Sequence, residues 1–89
     1  MLNPSDLSSV RSWLCESERE CLKHIKAGTF DEKTFAEYFI HWDQYFEIIS
    51  RFSVPDIYDA STLPEIARYY NAHSYSGIKY NENTGSRKR

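Results

Sequence analysis

Residues 35–52 read FAEYFIHWDQYFEIISRF and carry the clearest periodic pattern in the chain. Large apolar side chains recur there at steps of one and three residues, which is the spacing of one helix face. At about 100° per residue they fall within a stripe roughly 140° wide, formed by Phe35, Tyr38, Phe39, Trp42, Tyr45, Phe46, Ile49 and Phe52. A stripe of this width is typical of a helix packed on a core, so we expect most of these side chains to be buried.

Another helix is predicted before this one, over about residues 6–27, where apolar residues follow three- and four-residue steps. Its apolar positions are Leu7, Val10, Leu14, Cys21 and Ile25. Gly28 supplies a left-handed stop, and Thr29 with Glu32 has the spacing of a capping box for the next helix, with Asp31 as a competing cap. So short a link favours an antiparallel hairpin whose two apolar stripes face each other.

The second helix is expected to end near Phe52, because Pro55 disfavours helical geometry at the residue before it. Residues 53–61 then read as a connector that is anchored by Ile57 and Tyr58. The connector leads into the last predicted helix of the chain.

That third helix is short, and Thr62 with Glu65 forms a possible capping box at its start. It runs to about Ala72 and would bury Leu63, Ile66, Ala67 and Tyr70. Residues 73–80 could follow as an extended strap that packs through Tyr75, Ile78 and Tyr80. The sequence therefore predicts an all-α protein, an antiparallel helical hairpin with a short third helix packed across it.

The charges divide the chain into an acidic body and a basic end. Residues 1–78 carry seven Lys or Arg against twelve Asp or Glu, whereas residues 79–89 carry four Lys or Arg against one Glu. We expect residues 1–80 to form a single helical domain and residues 81–89 to form a disordered basic tail. An acidic body argues against broad binding to a phosphate backbone, because that affinity comes from clustered cations.

The sequence favours a cytoplasmic protein. The first 14 residues form no apolar run of the kind found in secretion signals, and no segment approaches membrane-spanning length. Cys15 and Cys21 lie too far apart on one helix to bridge each other, so we expect reduced thiols.

No pattern of catalytic residues stands out. No strand-turn-helix elbow accompanies the cysteines, and there is no Gly-rich phosphate loop. Glu20 with His24, and Glu37 with His41, have Glu-x-x-x-His spacing, but helical di-metal sites use Glu-x-x-His together with further carboxylates. We therefore predict a non-enzymatic protein without metal or cofactor, in which these pairs are exposed neighbours on a helix.

One alternative function comes from a partial resemblance. Residues 17–28, SERECLKHIKAG, resemble the opening of LuxR-type helix-turn-helix domains, and residues 33–39, KTFAEYF, loosely resemble their second helix. The resemblance implies a DNA-binding regulator, but the helical stripe continues where that family turns into its recognition helix. A second possibility takes residues 62–71 as the scaffold helix and residues 74–80 as the recognition segment. In either case the expected phosphate contacts are the cations near the C-terminus, Lys79, Arg87, Lys88 and Arg89.

The favoured function is binding to another protein. Ile40 lies nearly opposite the centre of the aromatic stripe and Ile48 lies on its shoulder, and both stand among acidic and polar residues. Apolar side chains with a charged rim are typical of a partner-binding face, here Glu37, Ile40, Asp43, Gln44, Glu47 and Ile48. We expect a subunit, adaptor or stoichiometric inhibitor of a larger complex, with a nucleic-acid-processing complex and a homodimer as two options.

Overall fold

The computed structural model describes residues 4–54, 61–83 and 87–88, and these residues form three α-helices. Helix α1 spans Leu7–Ala27 after a single 3-10 turn at Pro4–Asp6, helix α2 spans Glu32–Arg51, and helix α3 spans Leu63–His73. The strand β1 at Lys79–Tyr80 pairs antiparallel with the strand β2 at Arg87–Lys88. The predicted all-α fold is confirmed, since α1 and α2 form an antiparallel hairpin and α3 packs across it. None of the helices in the described ranges is long and apolar enough to cross a bilayer.

Gly28 ends α1 and turns the chain into the hairpin. Its φ of 74° is left-handed, and its N–H bonds to the carbonyls of His24 and Ile25. A Cβ at this position would meet no neighbour, so the reason for glycine is the backbone conformation rather than space.

Two contacts fix the register of the hairpin. The thiol of Cys21 lies 3.8 Å from the carbonyl oxygen of Thr34, and the ring of Trp13 lies 5.9 Å from the ring of His41. Cys21 follows Trp13 in α1, whereas its contact Thr34 precedes His41 in α2, so the two helices are antiparallel. The start of α1 therefore lies beside the end of α2.

Neither of the predicted capping boxes forms. Asp31, not Thr29, is the N-cap of α2, and its side chain makes no capping hydrogen bond. Thr62 is the N-cap of α3, but its hydroxyl donates to the carboxylate of Glu18 at 2.6 Å instead of capping the helix. The tertiary partner on α1 thus replaces the local one.

Glu32, the acidic residue of the first predicted box, instead holds the segment that follows α3. Its Oε1 accepts hydrogen bonds from the Ser74 hydroxyl at 2.8 Å, the Tyr75 N–H at 2.8 Å and the Ser76 N–H at 3.1 Å. These donors, with the Ser74 hydroxyl as the largest influence, lower the pKa of the Glu32 carboxyl below its ordinary value.

The core draws on all three helices, and each inner face that the sequence predicts contributes to it. The buried side chains are Val10, Leu14 and Cys21 of α1, Phe35, Tyr38, Phe39, Trp42, Tyr45 and Ile48 of α2, Leu63, Ile66, Ala67 and Tyr70 of α3, and Tyr80. Leu7, Ile25 and Ile49 pack against this core and are partly buried. Burial of so many aromatic rings gives a small domain a large apolar area per residue.

Ile48 lies in this core, so its predicted place on the outer surface is wrong. Thr34, His41 and Ile48 follow one another at steps of two helical turns and therefore share one edge of α2. Thr34 and His41 both contact α1. Ile48 continues that edge and is 0% exposed.

The aromatic stripe predicts burial for Phe46 and Phe52, but these side chains are 47% and 37% exposed. Helix α3 is tied to Glu18 at the middle of α1 and, through the hydroxyl of Tyr69, to the carbonyl of Thr29 in the hairpin link. It therefore lies over the half of the hairpin nearest the link. Phe46 lies in the other half of α2 and Phe52 follows the last residue of α2, so this 11-residue helix covers neither of them.

Tyr80 anchors the segment after α3 to the helices. The side-chain amide of Asn71 donates to the Tyr80 carbonyl and accepts from the Tyr80 N–H, both at 2.9 Å. The Tyr80 ring stacks on Phe39 at a centroid distance of 3.9 Å. The other two predicted anchors are exposed, Tyr75 at 83% and Ile78 at 37%.

The β1–β2 ladder was not expected from the sequence. Residues 84–86 and 89 lie outside the described residues, so the disorder expected for residues 81–89 stays a prediction. Ile57 and Tyr58, the expected anchors of the connector, also lie outside them.

Candidate partner-binding surface

Five of the six predicted contact residues lie along one side of α2, and Glu37 and Gln44 among them adjoin the edge that contacts α1. Glu37, Ile40, Asp43 and Glu47 are exposed and Gln44 is partly buried. These five residues are called the outer ridge below. Ile40 is 53% exposed near its centre.

A groove runs between α1 and α2 beside the outer ridge and has a volume of about 440 Å³. It is called the α1–α2 groove below. Its walls are Trp13, Glu16, Ser17 and Glu20 of α1 and Thr34, Glu37 and His41 of α2. Glu37 belongs to both features, so the groove and the ridge form one continuous surface.

Trp13 stands at one end of the groove and is 46% exposed. Its ring packs on His41 at a tilt of 44°, and the Nδ1 of His41 lies 3.3 Å from the side-chain oxygen of Gln44. An amide oxygen can only accept, so this geometry makes Nδ1 of His41 the donor. The row Trp13, His41 and Gln44 therefore connects the groove to the outer ridge.

Three carboxylates, Glu16, Glu20 and Glu37, give the groove its charge. Glu20 pairs with Lys23 at 3.2 Å, and both side chains are more than half exposed. Within residues 4–54, 61–83 and 87–88, neither Glu16 nor Glu37 has an ion-pair or hydrogen-bond partner. The groove thus offers negative charge that the described part of the chain does not neutralise.

His24, His41 and Cys21 each make a contact within the fold. Nδ1 of His24 lies 2.8 Å from the hydroxyl of Thr29, whereas His41 packs on Trp13, so the two Glu-x-x-x-His pairs do not converge. No group of three or more His, Cys, Asp or Glu suited to a metal ion occurs among the described residues. Burial, with the Glu18 and Glu20 carboxylates as smaller influences, raises the pKa of the Cys21 thiol far above its usual range, which disfavours the reactive thiolate.

Three of the four cations predicted to contact phosphate lie in the short ladder. Lys79 is the Cα partner of Lys88, and Tyr80 is the Cα partner of Arg87. The register therefore gathers Lys79, Arg87 and Lys88 at one place on the backbone, while Arg89 lies outside the described residues.

Sequence reasoning missed Trp13 as a site residue, because this side chain lies outside the apolar positions that define the inner face of α1. A signal was present in the spacing. Glu16 lies three residues after Trp13, and Glu20 lies four residues after Glu16. These helical steps place all three side chains on one strip of α1. That this strip faces Glu37 and His41 follows only from the register of the hairpin.

Comparisons of the chain with known protein families, with curated proteins and with solved structures found no match. The function of the chain is therefore proposed from the chemistry of its own surface.

Proposed function

We propose that this protein is a non-enzymatic interaction module that binds a partner protein through the outer ridge of α2, as a subunit, adaptor or stoichiometric inhibitor. The observation that supports this most directly is Ile40. It is 53% exposed on a regular helix and stands beside the carboxylates of Glu37, Asp43 and Glu47. An apolar side chain with a charged rim can supply both the buried centre and the polar border of an interface.

The ridge is built on a rigid element, which favours binding. Helix α2 spans 20 residues and buries six of them in the core, so little backbone conformational entropy is lost when a partner docks. Carboxylates along the ridge favour a basic partner surface, and such charge complementarity speeds and orients the encounter.

The area of a stable protein–protein interface implies that the partner also covers the neighbouring groove. A stable interface buries about 800 Å² on each side, which is more than five side chains on one helix provide. The α1–α2 groove shares Glu37 with the ridge and would add to the area that a partner covers.

The proposal is tested by capture of partners from the native cell with the wild type and with the double variant Ile40→Arg and Gln44→Arg. The matched control is Ser8→Arg with Ser12→Arg, which adds the same charge at the same spacing on exposed positions of α1. We expect one stoichiometric partner that the ridge variant loses and the control keeps, with unchanged circular dichroism in both. Equal recovery by all three proteins would disprove the ridge as the binding surface.

A DNA-binding regulator is a second candidate, and the observation in its favour is the gathering of Lys79, Arg87 and Lys88 by the ladder. One observation disagrees with the helix-turn-helix resemblance behind this candidate. Residues 33–39 lie in a helix that continues without a break to Arg51. This candidate expects duplex DNA to shift in a gel at low salt, with an affinity that falls steeply as salt is added. It also expects a variant that ends at residue 86 to lose the shift. The absence of any shift at low salt would remove it.

A further inference from the structure

We propose that the α1–α2 groove receives an arginine side chain from a basic segment of the partner protein. This inference rests on the proposed protein-binding function and names the chemistry that its partner carries. Its observations are the shape of the groove, the two unneutralised carboxylates and the exposed indole ring at one end.

The carboxylates approach the groove from both helices. Glu16 and Glu20 are one turn apart on α1, about 6 Å along the helix axis, and Glu37 lies across from them on α2. A cation placed in the groove is therefore near negative charge on two sides. An anion placed there would be repelled from both sides, which excludes acidic peptides and phosphate groups as occupants.

Trp13 selects among cations. The face of an indole ring attracts a cation within about 6 Å of its centroid, and a guanidinium group can also stack on it as a plane. Trp13 is 46% exposed and stands at the end of the same groove as Glu16. An arginine can stack on Trp13 and direct its N–H groups to a carboxylate at the same time, which the compact ammonium group of lysine cannot do as well.

Two nitrogen-bearing side chains at the groove, Lys23 and His41, leave room for such an occupant. Lys23 is held by Glu20 at the end of the groove away from Trp13. His41 is occupied on one side by the Trp13 ring and through Nδ1 by Gln44. The end formed by Trp13, Glu16 and Glu37 is therefore where the arginine binds.

The test uses a short flexible peptide, acetyl-Ser-Gly-Arg-Gly-Ser-amide, added to the ¹⁵N-labelled protein and followed by NMR. Two reference peptides carry lysine or citrulline in place of arginine, and citrulline has nearly the shape of arginine without its charge. We expect saturable shifts at millimolar peptide for the Trp13 indole N–H and for amides of the groove. Binding should be roughly two- to fivefold weaker with lysine, and weaker still with citrulline.

Two variants and a control assign the effect to the groove. Glu16→Gln and Trp13→Ala should each weaken the arginine peptide by roughly two- to fivefold, whereas Glu65→Gln, which removes an exposed carboxylate from α3, should leave it unchanged. Equal binding of the arginine and citrulline peptides, or shifts that do not centre on the groove, would overturn the inference.

The result also separates this inference from the function on which it rests. Glu16 and Trp13 lie outside the outer ridge, whereas Ile40 and Gln44 lie outside the lining of the groove. If the ridge variant loses the partner while the peptide fails to bind, the interaction module stands and the arginine site is wrong. If the peptide binds as expected while the ridge variant keeps the partner, the ridge is wrong and the groove remains a site for arginine.

Discussion

Ile40 and Ile48 are two turns apart on α2 and have opposite surroundings. Ile40 is 53% exposed, whereas Ile48 is 0% exposed and packs in the core. The difference arises because Ile48 shares the edge of Thr34 and His41, which contacts α1. Their substitution should therefore affect different properties of the molecule.

Ile48→Ala is expected to lower the free energy of unfolding by about 2–5 kcal/mol, since it removes buried methyl groups and leaves a cavity. Ile40→Ala should change it by less than about 0.5 kcal/mol, because the side chain is largely in solvent. Urea denaturation of both variants, followed by circular dichroism, makes the comparison. Similar stabilities for the two variants would contradict the burial of Ile48.

Glu32 is expected to make stability depend on pH. Its pKa is lowered in the folded protein, chiefly by the Ser74 hydroxyl, so its hydrogen bonds stabilise the fold fully above the ordinary value of 4.5. That contribution is lost as the pH falls below 4.5 through the lowered folded value. Glu32→Gln should therefore lower Tm at pH 7, and the difference from wild type should shrink in acid.

Thermal melts between pH 3 and pH 7 provide the measurement, with Glu65→Gln as the control for loss of an exposed carboxylate. A Glu32→Gln difference that stays constant across this range would show that the three hydrogen bonds from residues 74–76 do not depend on the charge.

At the scale of elements, one side chain of α3 holds the Tyr80 end of the segment that follows this helix. Asn71 pairs with both the N–H and the carbonyl of Tyr80, as a neighbouring strand would. Asn71→Ala should destabilise the protein by about 1–3 kcal/mol, because part-buried backbone groups lose their partners. Hydrogen exchange should show the Tyr80 amide losing protection while the amides of α1 and α2 keep theirs.

Asn71→Asp is the matched variant for this prediction. It keeps an acceptor for the Tyr80 N–H but sets a carboxylate oxygen against the Tyr80 carbonyl, so protection at Tyr80 should be intermediate. Full protection in Asn71→Ala would mean that the Tyr80 ring on Phe39 holds the segment without the amide.

The three helices could be predicted from the sequence because periodicity and a glycine stop act locally. Side-chain caps could not, since Glu32 and Thr62 bond to groups that are distant in the sequence. Phe30 shows the same limit. It is a link residue with no periodic pattern, yet it lies within 6.2 Å, between ring centroids, of Phe35, Tyr69 and Tyr70.

The ends of the buried face of α2 depend on the position of α3, which no pattern within α2 can reveal. Phe39 is covered by Tyr70 and Tyr80, whereas Phe46 lies two turns further and is exposed. Helical spacing of about 100° per residue places Phe39 and Phe46 on the same apolar stripe and therefore predicts burial for both. The prediction of burial therefore succeeds for Phe39 and also for Tyr45, but it fails for Phe46.

At the scale of the whole molecule, the outer ridge and the α1–α2 groove are one surface built from two helices. The ridge could be predicted from the sequence, with the error at Ile48, because its residues share one helix. The groove could not, because Trp13 and Glu37 come together only through the register of the hairpin. The net charge of −2 also conceals this surface, since the basic end of the chain offsets the acidic body.

The most direct test of the account is a calorimetric titration of the captured partner with purified wild type, with Ile40→Arg and Gln44→Arg, and with the Ser8→Arg and Ser12→Arg control. Two arginines on the ridge would place unmatched charge in the centre of the interface. We expect the ridge variant to bind at least roughly tenfold more weakly and the control to match the wild type. Equal affinity of the ridge variant and the wild type would contradict the outer ridge as the surface through which this protein acts.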